Sequence, residues 1–347
     1  MLFLSVDMKK NELGLIVVSL MASFALLACA ASPEVSKGSK ATVEKAKKLI
    51  VLHDSNLSRS FHRLARSFEG SHDDVEVSLE SSAGVLVARK VADLSRRVDI
   101  VAVSDYRMIQ ELLMPKNCEW YVCFAYDTLV LAYTQRSRHQ SRLSKNNWFR
   151  TLARKDVSLG MAAASTDPCG YRSQLLLKLA DEYYRCRING LSIEEALTSP
   201  AKEPVTRPSV MDLLPLLQSG SIDYLFTYRS LAEQQGMKYL ELNKLINLGS
   251  PHLSHYYRRV SLELDLSAQT SQAAKTAKTK KETSIQGEPI VYAFAILRNP
   301  RNEEIARLFA DYLLGPEGEA LLGKSHQRVI RGGRIGFTET SRPWLGS

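Results

Sequence analysis

The chain is poor in cysteine and has no arrangement of it that would hold a metal. Five cysteines occur in 347 residues, none in a CxxC pair, and no Cys/His cluster has ligand spacing, which excludes a zinc-knit module. Cys118 and Cys123 are an odd number of residues apart, so a single strand would point them to opposite faces. A helix from Pro168 to about Tyr184 would hold Cys169 and Cys186 about 25 Å apart, too far for a bridge. No disulfide is therefore expected. No internal repeat is visible, which excludes a solenoid. The formal net charge of +9 is scattered, with no aromatic-basic stripe, so nucleic acid is not an expected partner. An anionic partner remains compatible, as does a well-solvated surface.

Long apolar runs are also scarce. The one at the N-terminus extends from Leu13 to Leu27, short of the roughly 20 residues a membrane-spanning helix needs. It follows Lys9 and Lys10 and ends in Leu26-Leu27-Ala28-Cys29. That order of charge, apolar core, small residue and cysteine resembles a bacterial lipobox, with Cys29 the lipidated first residue of the mature chain. An uncleaved anchor helix with an incidental cysteine is the bland alternative. Both place the rest of the chain outside the cytoplasm, tethered to a membrane. Residues 1–28 are read as a signal peptide and 29–47, rich in Ser, Lys and Ala, as a tether.

What remains is some 300 residues of ordinary globular composition, 45% hydrophobic and 24% charged, enough for two medium domains or one large one. Leu49 to Leu52 reads as a strand, and Leu57, Phe61, Leu64, Ala65 and Phe68 recur at helical spacing. Val75 to Leu79 alternates as a strand, an apolar-periodic helix runs from Gly84 through Val91, and Asp99 to Val103 reads as a buried strand. The order β, α, β, α, β implies an α/β fold with a parallel sheet whose ligands sit at the carboxyl ends of the strands. Tyr121 to Tyr133 could carry the chain into a second lobe, and Ile290 to Leu297 could bring it back. Between them, strands are expected at Val157–Gly160 and Ile222–Thr227. Ser267 to Ser284, with Lys275, Lys278, Lys280 and Lys281 and no apolar face, reads as a surface loop.

Candidate chemistry gathers in loops that open helices: Asp54 to Ser58, Ser81 to Gly84, Ser165 to Gly170 and Arg207 to Asp212. Free N–H groups and the helix dipole make such starts anion sites. Each loop alone also reads as an ordinary cap, since Ser, Asn and Asp are preferred N-cap residues and Asp167-Pro168 has the form of a cap with Pro at the first helical position. Cys169 at a helix start would in principle have a lowered pKa, but no motif places a histidine beside it. No enzyme and no cofactor are expected.

The order of these motifs resembles the archaeal-type tungstate/molybdate-binding proteins, solute receptors of ATP-binding cassette importers. The likeness rests on Leu49-Ile50-Val51-Leu52-His53, Arg89 to Leu94, Asp99 to Tyr106 and above all Asp167-Pro168-Cys169-Gly170-Tyr171-Arg172-Ser173. It continues through Gly220 to Tyr224 with Tyr228, Ile246 to Gly249, Pro289 to Tyr292, Leu313 to Gly318 and His326-Gln327. It implies a two-lobed periplasmic-binding-protein-like fold of type II, each lobe a mostly parallel sheet flanked by helices. Lobe 1 would comprise 48–125 and 290–347, and lobe 2 126–289. The ligand would be clamped between them by a hinge. It further implies an oxyanion held by two serine-bearing loops and two carboxylates. Carried over, the ligand set is Asn56, Ser58, Ser82, Gly84, Asp167 and Tyr228, although Tyr228 reads almost equally well as a core tyrosine.

Several of these positions depart from the family's pattern. Asn56 and Gly84 stand where the family has serines that hold the anion, and Val210 where it has the second carboxylate. Valine cannot coordinate a metal centre, and Asp212, two residues on, faces elsewhere on a helix. Asp167 facing an anion alone would be repelled unless it bonds the oxyanion's metal or is protonated, and it could serve only as a cap. The leading expectation is thus a monomeric, lipid-anchored receptor that hands a small oxyanion to its permease. A receptor for another small solute and a surface lipoprotein with an interaction role are the alternatives.

Overall fold

A computed structural model of the chain describes residues 46–93, 96–265 and 282–337. The signal peptide, Cys29 and most of the expected tether lie outside the described residues, as do 267–281 of the Lys-rich segment. The tether's last residue, Lys47, already belongs to a strand: it opens β1 (Lys47–Asp54) opposite Val75 and ion-pairs with Asp74 at 3.0 Å.

The alternation read from the N-terminal third is the one observed. After β1 come α1 (Ser58–Glu69), β2 (Val75–Ser82), α2 (Gly84–Ala92), β3 (Ile100–Val103), α3 (Tyr106–Leu112) and β4 (Trp120–Tyr126). β1 lies between β2 and β3, parallel to both. Its residues from Leu49 on are buried, as a strand covered on both faces requires. α1 buries Phe61, Leu64, Ala65 and Phe68, the face its periodicity marked.

Only Asp127 and Thr128 separate β4 from β5 (Leu129–Tyr133), which belongs to a second sheet. That sheet is completed through α4 (Trp148–Leu152), β6 (Leu159–Ala162), α5 (Pro168–Tyr184), α6 (Ile193–Thr198), β7 (Val205–Arg207), α7 (Val210–Ser219), β8 (Tyr224–Tyr228), α8 (Arg229–Gln234) and β9 (Lys238–Glu241). Its order is β7-β6-β8-β5-β9. After the short α9 (Ser254–Tyr257), β10 (Ser261–Asp265) pairs antiparallel with β11 (Glu282–Gln286). The surface loop expected up to Ser284 therefore ends earlier, because residues 282–284 pair in this hairpin and Leu264 and Ile285 are buried in it. The chain then returns through β12 (Val291–Ile296), α10 (Glu303–Leu314), α11 (Pro316–Lys324) and β13 (Arg328–Phe337) to a first sheet of order β13-β4-β12-β3-β1-β2.

β12 is antiparallel to both β3 and β4, so β1 to β4 share one direction and β12 and β13 run against them. In the second sheet only β5 is reversed. Both sheets are thus mixed rather than mostly parallel, because the reversed β12, β13 and β5 pair antiparallel with their neighbours, and helices flank them. Where the chain crosses, the buried Asp127 carboxylate accepts from the Thr128 N–H at 2.7 Å, the Tyr292 hydroxyl at 2.7 Å and the Ser230 N–H at 3.3 Å. One carboxylate thereby ties both crossing strands together, and burial pushes its pKa up against those bonds.

Candidate functional site

β1 and β3 are neighbours, so their carboxyl ends bring Asp54 and Ser104 side by side. Asp54 caps the 3-10 turn Ser55–Leu57, accepting from the Asn56 N–H at 3.1 Å and the Asn56 side-chain amide at 2.9 Å. Its other oxygen accepts from the Ser104 N–H at 3.3 Å and from the Ser104 hydroxyl. Two backbone and two side-chain donors therefore converge on one carboxyl group with no solvent exposure. Burial pushes its pKa up, opposed by Ser104, Asn56 and the charge of Arg172. Against the same oxygen lies the start of α2. A Cβ at Gly84 would fall 2.3 Å from Asp54 Oδ2 and 2.8 Å from Pro168 Cδ, so only glycine permits this approach.

Pro168 belongs to the other lobe, which presents a matching arrangement. Asp167 is the N-cap of α5, accepting from the Cys169 N–H at 2.8 Å, and its second oxygen accepts from the Val210 N–H at 2.8 Å. One carboxyl group therefore caps α5 and α7 together. Its pKa is pushed up to about 7, first by burial and next by the charge of Asp54 across the cleft, while the two N–H donors pull the other way. The lobes meet here directly: the Val85 N–H donates to the Thr166 carbonyl at 3.0 Å, and the Ser55 and Ser209 hydroxyls are 3.0 Å apart.

A second cross-lobe contact runs beside the first. Arg172, on the first turns of α5 and 1% exposed, donates to the Ser104 carbonyl at 2.7 Å and the Tyr228 hydroxyl at 2.8 Å, and its guanidinium lies 3.0 Å from Asp105 Oδ2. Asp105 caps α3, pairs with Arg107 at 2.8 Å and accepts from the Tyr171 hydroxyl. Burial alone would raise the Asp105 pKa, but the Arg107 and Arg172 charges outweigh it and hold the group well below the carboxylate range. Asp105 is thus a fixed anion, whereas Asp54 and Asp167 are a titrating pair.

Of the residues singled out in the sequence, Asn56, Gly84 and Asp167 meet at this cleft. Val210 brings no carboxylate, yet its N–H serves Asp167. Asp212 turns back into the capping box of α7 with Ser209. Ser82 ends β2 opposite Asp54 and Ser58 opens α1; both are half-buried. Tyr228 is buried and bound to Arg172. Cys169 is wholly buried, its thiol on the Phe226 carbonyl at 3.5 Å, and burial pushes its pKa up rather than down as a helix start would. Cys118, Cys123, Cys169 and Cys186 are free thiols. Asp54 falls in a candidate loop and Ser104, Asp105 and Arg172 in the motifs of the resemblance, but the sequence assigns none of them a role in the site. The available signal was that Asp54 and Ser104 end adjacent parallel strands, where such sheets bind ligands. Among the described residues no group of three or more His, Cys, Asp or Glu could hold a metal ion, and no helix is long and apolar enough to cross a membrane.

Two lobes joined by crossing strands, with capped helices meeting at the cleft, define the fold class of periplasmic binding proteins. A family model described as "Bacterial extracellular solute-binding protein" matches residues 49–327, and the chain belongs to that family. It is 35% identical over 342 residues to a molybdate/tungstate-binding protein, WtpA, of Pyrococcus abyssi, covering 92% of this chain and 94% of that one. It is also 35% identical over 283 residues to a solute-binding protein of Petrotoga mobilis, covering 81% and 84%. Among solved structures, the periplasmic molybdate-binding protein of Azotobacter vinelandii superposes with a TM-score of 0.55 at 16% identity, over 82% of this chain and all of that one. The sulfate-binding protein SubI of Mycobacterium tuberculosis gives 0.54 at 13% identity, over 82% and 87%. These two likenesses show the fold.

Proposed function

We propose that this chain is the lipid-anchored receptor of an ATP-binding cassette importer and takes a small oxyanion, molybdate- or tungstate-like, into the cleft between its lobes. The observation that carries the reading is a donor cradle in each lobe: Asn56 and Ser104 turn hydrogen-bond donors onto the buried Asp54 carboxyl group, and Cys169 and Val210 onto that of Asp167, each gathering a carboxyl oxygen as it would an oxyanion. The 35% identity to WtpA, across nearly the full length of both chains, supports the ligand class. Asn56, Ser58, Ser82, Gly84, Asp167 and Tyr228 line or approach the site. The lobes divide near residues 126 and 290, and closure about that crossing hands the anion to the permease. The chain acts as a monomer, held to the membrane through Cys29.

Thermal unfolding with tungstate, molybdate, sulfate and phosphate tests the ligand. An anion at 100 times its dissociation constant adds about 2.7 kcal/mol of stability. A rise in Tm with tungstate or molybdate and none with sulfate is expected. No rise with any of the four would turn the reading towards another small solute. Cys29→Ser should move the protein from the membrane to the soluble fraction, and an unchanged distribution would sink the anchor.

A further inference from the structure

The cradle is already filled, and by the chain itself. The donors nearest the end of β1 all end on Asp54: the Asn56 N–H and amide on one oxygen, the Ser104 N–H and hydroxyl on the other. Four donors on two oxygens of a fully buried carboxyl group is the pattern by which a receptor holds an oxyanion. An incoming anion using these donors would have to overlap the carboxyl oxygens, and Gly84 packs so closely on Oδ2 that no second group fits between them. A second observation points to an absent occupant. The Nε of Arg172, a donor on a side chain whose charge acts on Asp54, is buried with no acceptor. Ordinary interiors leave few such groups unmet.

We propose that the Asp54 carboxyl group is a built-in competitor of the oxyanion, so that the ligand binds only by displacing it from Asn56 and Ser104. This rests on the oxyanion reading given above. Displacement sets a free carboxylate and the anion in one cleft together with Asp167, so protons on the carboxyl pair ease entry and binding strengthens as pH falls. The charged and titratable groups facing Asp54 are Asp167, Cys169 and Arg172 from α5, Tyr228 from β8 and, beside it on β1, His53, whose ring nitrogen lies 2.9 Å from the Asp54 carbonyl. Arg172 alone among them carries positive charge into the site, and Asp105 already pairs with it. Asp54 thus sets both the affinity and the pH range of the receptor.

Calorimetric titration of the full-length protein with tungstate and molybdate tests this on wild type, Asp54→Ala and Asp54→Asn at about pH 8 and about pH 6. Asn keeps the size and one acceptor of the carboxyl group, so it remains informative if Ala loosens the fold, and circular dichroism reports the folding of both. Both variants should bind at least about tenfold tighter than wild type at the higher pH. The wild type should gain affinity on acidification, and the variants should gain much less. Wild-type binding as tight as that of the variants, or tighter, would overturn the competitor while leaving the oxyanion reading intact. Failure of all three proteins to bind either anion would overturn the oxyanion reading, and the competitor with it.

Discussion

The carboxyl groups of Asp54 and Asp167 face each other from opposite lobes, each capping its own lobe's helix starts, and the charge of one raises the pKa of the other. Most buried acids are paired with a base. Here two are packed together while Arg172, whose charge acts on Asp54, is committed to Asp105. The consequence is a cleft whose two carboxyl groups hold their protons more tightly than ordinary carboxylates.

That pair makes a measurable contribution to stability. Asp167 has a folded pKa of about 7 against an ordinary 3.8, so the native state holds a proton that the unfolded state releases. Its contribution is present in full below about pH 4 and is lost as pH rises through 7, by up to a few kcal/mol. His53 acts in the opposite sense. Burial holds it down to about 4 from 6.5, so its contribution is present above 6.5 and is lost as pH falls through 4. The two oppose each other between roughly pH 4 and 6.5. Asp167→Asn, which leaves one of the Cys169 and Val210 N–H groups without an acceptor, should therefore make stability fall less steeply with rising pH across that window. His53→Gln should leave it falling. Urea midpoints at half-unit pH intervals check both, and parallel curves for wild type and Asp167→Asn would refute the assignment.

Thiol chemistry should follow burial. Cys118 and Cys169 are essentially unexposed with raised pKa values, Cys123 is half-buried and pushed up to about 12, and Cys186 is half-buried at the end of the α5 region. Brief iodoacetamide treatment of native protein, read by peptide mass spectrometry, should modify Cys186 first and Cys169 last. The thiolate is the reactive form, and desolvation denies it to Cys169. Early labelling of Cys169 would count against its buried place in the cleft.

Much of this architecture was legible because it is local. The alternation of Val75 to Leu79 and the i, i+3, i+4 face of α1 each describe one element's own surroundings, and Pro168 to Tyr184 was read with its bounds unchanged. The strand expected at Val157–Gly160 lies two residues on, at Leu159–Ala162, because the Ser158 carbonyl instead accepts from the Asp223 and Tyr224 N–H groups in a connecting turn. The site was harder to read because its partners are distant in sequence. Asp54 reads as a cap, and it is one, but Ser104 lies 50 residues away. Arg172 stands in the sequence only as one residue of the Asp167–Ser173 motif, and its partners Ser104 and Asp105 lie in the other lobe. Gly84 stands in the sequence as a lost serine, whereas the structure shows it where a side chain would meet Asp54 and Pro168.

Arg172 holds the lobes together through a charge that cannot be removed alone. Its ion pair with Asp105 is almost wholly buried. Replacing it with methionine leaves Asp105 with Arg107 as its one ion-pair partner and strands the Ser104 carbonyl. The expected loss is about 3–5 kcal/mol. Arg172→Lys should recover little, since an ammonium cannot reach Ser104, Tyr228 and Asp105 with one planar fork. A midpoint for Arg172→Met within experimental error of wild type would show the contact to be dispensable.

Gly84 offers the most direct check on how closely the lobes approach. A methyl group there would sit 2.3 Å from Asp54 Oδ2 and 2.8 Å from Pro168 Cδ, and the second contact is to a proline held at the start of α5. A side chain can turn away, but the helix start cannot do so without moving its lobe. Gly84→Ala should therefore destabilise the protein by about 1–3 kcal/mol and open the cleft, seen as a larger radius of gyration by solution scattering. Adding Asp54→Ala removes the first clash and leaves the second. The double variant should then recover part of the stability lost, with a coupling energy of about 0.5–3 kcal/mol between the two sites. Strict additivity would mean that Gly84 and Asp54 are not in contact in solution, and that the lobes stand further apart than these distances require.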